Sequence, residues 1–100
     1  MIKFKDEAEA ISIANDTRFG LSAGVWTQDI SRSFRITQKI KSGTVWVNTY
    51  RTISFMSPFG GFKDSGIGRE NGIRSINEYL ETKSVWINIG APMLNPFATR

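Results

Sequence analysis

Apolar positions along this chain change period several times, and each change marks an element. Ala8, Ile11 and Ala14 recur at helical spacing behind Asp6, which is placed to cap a helix, with Glu9 three residues later as the acid of a capping box. Glu7 and Glu9 put negative charge in the first turn, where the helix dipole favours it. Asn15-Asp16-Thr17 stops this helix and Gly20 supplies a turn. From Leu21 to Trp26 the period drops to two, with Leu21, Ala23 and Val25 on one face and Trp26 on the other, the pattern of a short strand. After the turn at Thr27-Gln28, Asp29 is a good N-cap. Ile30, Phe34, Ile36 and Ile40 then fall within an arc of about 160°, taking about 100° per residue. Arg32, Arg35, Gln38 and Lys39 occupy the other face, so an amphipathic helix with one buried side is expected. Gly43 ends it, and Thr44 to Val47 reads as a second strand.

Strand, helix and strand joined by short turns make a βαβ unit, with parallel pairing and a right-handed crossover. One such unit leaves part of its sheet uncovered and calls for further strands beside it. Ligands in open α/β sheets bind beyond the carboxyl ends of the strands, so Asn48 and the loop after it mark the site end. That loop, Thr49 to Gly66, is too long for a simple connection. Pro58, Phe59 and Phe62 give it rigid apolar surface. Ile73, Ile76 and Leu80 predict a helix from about Arg69 to Leu80, flanked by Tyr79. Lys83, Val85, Ile87 and Ile89 alternate with Ser84, Trp86 and Asn88 as a strand would, and such a strand needs a partner within the domain or on another subunit. The tail from Gly90 to Arg100 shows no periodicity.

Composition narrows the chemistry. The 100 residues allow one domain or a piece of a larger one, and 40% hydrophobic with 12% aromatic residues is an ordinary globular balance. No run nears the roughly 18 apolar residues of a membrane span, and the N-terminal segment has no apolar core of a secretory signal. Cysteine and histidine are both absent. Disulfides, thiolate metal sites, a thiol nucleophile and the commonest general base are thereby excluded from the chain. No metal site is expected. A catalytic role must come from shaping a site whose reactive groups lie elsewhere. The net charge of +4 is spread among acids, and its densest group, Arg32, Arg35, Lys39 and Lys41, fits a solvated helix face. No nucleic-acid recognition motif accompanies it. Gly66-Ile67-Gly68 suggests a dinucleotide loop, but the third glycine, Gly72, comes one residue late and no strand leads into the segment.

Three stretches carry a family resemblance: Gly43-Thr44-Val45-Trp46-Val47-Asn48, Pro58-Phe59-Gly60-Gly61-Phe62-Lys63 and Ser65-Gly66-Ile67-Gly68-Arg69-Glu70-Asn71-Gly72. Together they closely resemble the C-terminal region of NAD(P)-dependent aldehyde dehydrogenases. Glu9-Ala10-Ile11, Ala14-Asn15-Asp16-Thr17, Phe19 to Thr27 and Tyr79 to Val85 match the same family in order, so the resemblance covers nearly all of Ile2 to Ile89. It implies an α/β fold: the βαβ portion of the catalytic domain over residues 1–80, an oligomerisation strand over 81–89, and a tail over 90–100. It implies oxidation of an aldehyde to a carboxylic acid with NAD or NADP in a cytoplasmic homo-oligomer, a dimer or tetramer. The catalytic cysteine, the general-base glutamate and the cofactor domain fall outside this chain, which is expected to be inactive and to bind no cofactor alone. The other reading is a self-associating, non-enzymatic α/β piece.

The resemblance also implies roles for particular residues. Phe59 corresponds to an aromatic wall of the aldehyde pocket; ordinary core packing is the alternative. Phe59 stands where members acting on choline-derived aldehydes usually carry Trp, which weakens that choice slightly. Thr49 to Phe55 corresponds to the variable substrate-anchoring loop, with Ile53 at a specificity position, Tyr50 beside it, and Arg51 able to reach an anionic or polar tail. A surface loop with a solvated Arg is the alternative there. Glu70 corresponds to a carboxylate near the catalytic thiol that holds a lysine or relays a proton, or else is a helix N-terminal acid. Arg69 and Glu81, with Val85 and Ile87, correspond to positions near the subunit interface, where Arg69 and Glu81 fit an ion pair between subunits; a local salt bridge is the alternative.

Overall fold

Asp6 starts the first helix in the computed structural model, which describes residues 1–90 together with Pro92 and Phe97. Its carboxylate accepts from the Glu9 amide at 2.9 Å, opening α1 (Glu7–Asn15). Glu9 reaches back to the Lys5 amide at 2.6 Å, one residue before the cap. Asp29 does the same for α2 (Ile30–Lys39), accepting from the Arg32 amide at 3.0 Å. The two helices are tied at both ends. Glu7 accepts from Arg35 at 2.9 and 2.8 Å and lies 3.4 Å from Arg32. At the other end the Asn15 amide donates to the Lys39 carbonyl at 2.9 Å and accepts from the Lys41 amide at 2.8 Å.

Two small sheets support the helices. β2 (Ser22–Val25) and β3 (Thr44–Val47) pair in parallel from Ser22 opposite Thr44 to Val25 opposite Val47, with α2 as the crossover between them. The second sheet was not visible in the periodicity: β1 (Phe19–Gly20) pairs antiparallel with β4 (Phe62–Lys63), which comes from the middle of the long loop. A two-residue strand has too few alternations to show a period. The backbones meet closely here. A Cβ on Gly43 would overlap the Gly60 carbonyl oxygen, so only glycine lets the loop lie against the start of β3.

Three helix expectations need correction. The amphipathic arc of α2 is only partly covered: Ile36 and Ile40 are half-buried, whereas Ile30 and Phe34 are 69% and 63% exposed and Ser33 is the buried position. The two-stranded sheet is too narrow to roof the whole helix. On α1 the same limit leaves Ala8 and Ala14 exposed, with Ala10 and Ile11 the better covered. The helix expected from Arg69 to Leu80 is shorter and tighter, a 3₁₀ segment over Ile73–Tyr79. Glu70 is held extended in a bridge to Phe59, Asn71 and Gly72 have φ of 60° and 65°, and Gly72 has no side chain to cap the segment. Over the alternating segment 83–89 no strand is formed among the described residues, and Trp86 at its centre is 92% exposed. Most of the tail expectation, at residues 91, 93–96 and 98–100, lies outside the described residues.

Among the described residues Trp46, 8% exposed, is the buried large apolar side chain. The accessible surface is 9194 Å², against about 5,700 Å² expected for a compact monomer of this mass. Much apolar surface is therefore left without cover from the chain itself.

Candidate functional site

The site end begins at Asn48, where β3 stops. Its amide donates to the Val25 carbonyl at 2.8 Å, the last bond of the parallel ladder. The backbone then turns left-handed, with φ 53°. The side chain accepts from the Thr27 amide at 2.9 Å and donates to the Thr27 carbonyl at 2.8 Å. A carboxamide thus imitates one more strand residue while the main chain departs. Asparagine suits both tasks, since it tolerates the left-handed region and carries a donor and an acceptor.

The next turn is pinned from beneath. The Trp46 indole donates to the Thr52 carbonyl at 2.8 Å, and the Thr49 and Thr52 hydroxyls lie 3.1 Å apart. Tyr50 packs edge-on against Trp46, with ring centroids 5.4 Å apart. Arg51, at φ 58°, sets its guanidinium over the Tyr50 ring at 5.3 Å. Tyr50, Arg51 and Ile53 are all exposed.

Phe59 and Glu70 are brought together. Each donates its backbone N–H to the other's carbonyl at 2.7 Å, so the segment between them is closed as a hairpin-like loop. Phe59 is half-buried and Glu70 exposed. The Arg69 guanidinium crosses the inside of this loop, donating to the Gly61 and Gly68 carbonyls at 2.9 and 2.8 Å while lying over Phe62 at 5.5 Å. Phe59, Glu70, Arg69, Leu21 and Tyr79 line an open groove of about 510 Å³. Arg69 and Glu81 are not paired with each other among the described residues. Tyr50, Arg51 and Ile53 occupy the separate Thr49–Thr52 turn and its exit and do not line this groove.

Three contributors escaped the sequence reading. Lys63 donates to the Asn15 and Thr17 carbonyls at 2.8 Å each, tethering the loop to the end of α1, where a cation meets the negative end of the helix dipole. Ser65 accepts from the Gly20 amide at 2.9 Å, and Arg18 pairs with Asp64 at 2.6 Å. All join residues more than forty positions apart, and no local pattern announces such contacts. The left-handed Asn48 carried a readable signal, a lone Asn closing a β-branched run. No group of three His, Cys, Asp or Glu side chains gathers among the described residues. The Gly66–Gly72 segment does not fit a dinucleotide pyrophosphate either. It leads into a 3₁₀ segment of seven residues and not into an α-helix whose N-terminal amides converge on an anion.

Known proteins are similar to this chain in sequence and in geometry. The profile of the aldehyde dehydrogenase family matches residues 1–85. The chain belongs to that family. It is 50% identical over 90 residues to a betaine aldehyde dehydrogenase of Brucella anthropi, covering 90% of this chain and 18% of that protein. It is 48% identical over 98 residues to the (Z)-2-((N-methylformamido)methylene)-5-hydroxybutyrolactone dehydrogenase of Acinetobacter baylyi, covering 97% of this chain and 20% of that one. Among solved structures, the betaine aldehyde dehydrogenase of Staphylococcus aureus in complex with NAD+ superposes with a TM-score of 0.84 at 41% identity. That match covers 96% of this chain and 19% of the other. This chain therefore spans about a fifth of the length of these relatives. The mixture of helices and parallel and antiparallel strands is an α/β arrangement, as expected for the family. Among the described residues no helix is long and apolar enough to cross a membrane.

Proposed function

We propose that this chain is the C-terminal part of the catalytic domain of a cytoplasmic aldehyde dehydrogenase that oxidises an aldehyde to a carboxylic acid with NAD or NADP. Its residues 1–80 shape the aldehyde side of the site, and residues 81–89 add a strand to a neighbouring subunit in a dimer or tetramer. The observation that carries the reading is the reciprocal Phe59–Glu70 backbone pair, which fixes an aromatic wall and a carboxylate side by side on a loop clamped by Arg69. Phe59 supplies an apolar surface that excludes water and orients the carbonyl. Glu70 stands behind it as a carboxylate able to hold a lysine or pass a proton. Tyr50, Arg51 and Ile53 meet the variable end of the substrate. The exposure of Val85, Trp86, Ile87 and Ile89 on an alternating segment supports the assembly role, with Arg69 and Glu81 near the same interface.

A chimera tests the proposal: residues 1–90 replace the corresponding segment of the full-length Brucella anthropi relative. Aldehyde-dependent NADH formation is expected from the chimera and none from the 100-residue chain alone. A folded, NAD-binding chimera that oxidises no aldehyde refutes the reading, as does NADH production by the chain alone. A self-associating role without catalysis is favoured by the same uncovered apolar surface. It predicts oligomers of the pure chain, and a monomer by sedimentation at high concentration counts against it.

A further inference from the structure

From the turn that follows β3 we infer the charge class of the substrate: an aldehyde whose far end is anionic, selected by Arg51 and against quaternary ammonium groups. The inference rests on the proposal that residues 49–55 meet the substrate. Between Lys41 and Lys63 the sole formal charge is that of Arg51, in a run of otherwise uncharged residues. Among the described residues it enters no ion pair, and its N–H groups donate to no protein acceptor. The backbone nevertheless holds it in place. Arg51 sits at φ 58° at the apex of a turn closed by the Thr49–Thr52 hydroxyl contact and by the Trp46 indole on the Thr52 carbonyl.

The side chain is positioned as well. Its guanidinium carbon lies 5.3 Å from the centroid of the Tyr50 ring, and Tyr50 is braced edge-on by Trp46. A guanidinium beside an aromatic ring keeps N–H groups for a bidentate acceptor such as a carboxylate or phosphate. The same cation disfavours the opposite chemistry. A quaternary ammonium group is held by an aromatic face or a carboxylate, and here the Arg51 cation stands 5.3 Å from the Tyr50 ring and repels a second positive charge. No Asp or Glu lies between Lys41 and Lys63 to offset it.

The test uses the chimeric enzyme and three aldehydes: a four-carbon aldehyde ending in a carboxylate, its methyl-ended counterpart, and betaine aldehyde. The expected result is a higher kcat/KM for the carboxylate-ended substrate than for betaine aldehyde. Arg51→Gln should lower that ratio by roughly ten- to a hundredfold, about one charge–carboxylate contact in a partly dry site. Arg51→Lys should keep most of it. A chimera that prefers betaine aldehyde, or a ratio unchanged by Arg51→Gln, overturns the inference while leaving the wider proposal standing. A chimera inactive on all three aldehydes removes both.

Discussion

Replacing Asn48 tests whether its side chain or its backbone conformation holds the junction between β3 and the loop. Asn48→Ala removes both bonds to Thr27, at 2.9 and 2.8 Å, and leaves a β-carbon in the left-handed region at φ 53°. Each bond contributes about 1 kcal/mol net, and the left-handed region costs a non-glycine residue about 1 kcal/mol or slightly more. Because the junction is exposed, the freed Thr27 groups regain water, so the sum settles near 2–3 kcal/mol. Asn48→Gly loses the same bonds but relieves the conformational cost, which leaves a loss of about 1–2 kcal/mol. Hydrogen exchange at the peptide spanning Val25 to Thr27 in the chimeric enzyme reads this local opening directly. Exchange should accelerate roughly 30- to 150-fold in the alanine variant and several-fold less in the glycine variant. Equal effects of Ala and Gly would show that the backbone conformation carries no cost. Unchanged exchange in both would refute the account of Asn48 as a substitute ladder residue.

Other outcomes follow from the same contacts. Arg69→Leu removes two donors to the Gly61 and Gly68 carbonyls; with neutral acceptors at about 1 kcal/mol each, it should cost about 2 kcal/mol and raise KM in the chimera. An unaltered KM and melting temperature would dismiss the clamp. Gly43→Ala should cost about 1–3 kcal/mol, because its Cβ overlaps the Gly60 carbonyl; thermal unfolding tells, and an unchanged midpoint contradicts the close approach. Arg35 holds the Glu7 carboxyl below its ordinary value of 4.5 through their hydrogen bond. A folded-state value lower than the unfolded one means the tether between α1 and α2 is fully present above that range and is lost as pH falls through the folded value. Acid loosening of α1 as the pH falls below the ordinary carboxylate range should vanish in Glu7→Gln, and an identical acid profile in that variant would show that the pair carries no pH dependence. Trp86→Lys together with Ile87→Lys should shift the chimera toward smaller species in sedimentation; an unaltered distribution argues against an assembly strand.

The elements that depend on neighbours along the chain were legible from the amino-acid order alone. Asp6 and Asp29 cap their helices as expected, and Thr44–Val47 is a strand over the range its β-branched and aromatic run marks. Capping, helical spacing and strand alternation are short-range effects, so a single sequence carries them. Absence was equally legible: without Cys or His, no thiol or imidazole chemistry can reside here. The motifs around Phe59 and Glu70 pointed to a site, although their pairing through two backbone bonds was invisible in them. Tertiary structure alone decided what depended on distant partners. The β1–β4 pair, Lys63 on the end of α1 and Arg69 on two glycine carbonyls each join segments that no local pattern connects. It also decided where patterns misled. The arc on α2 is real in the sequence, yet Ile30 and Phe34 stand exposed because hydrophobic periodicity records which face is to be buried and not whether the surface that buries it lies within the same 100 residues.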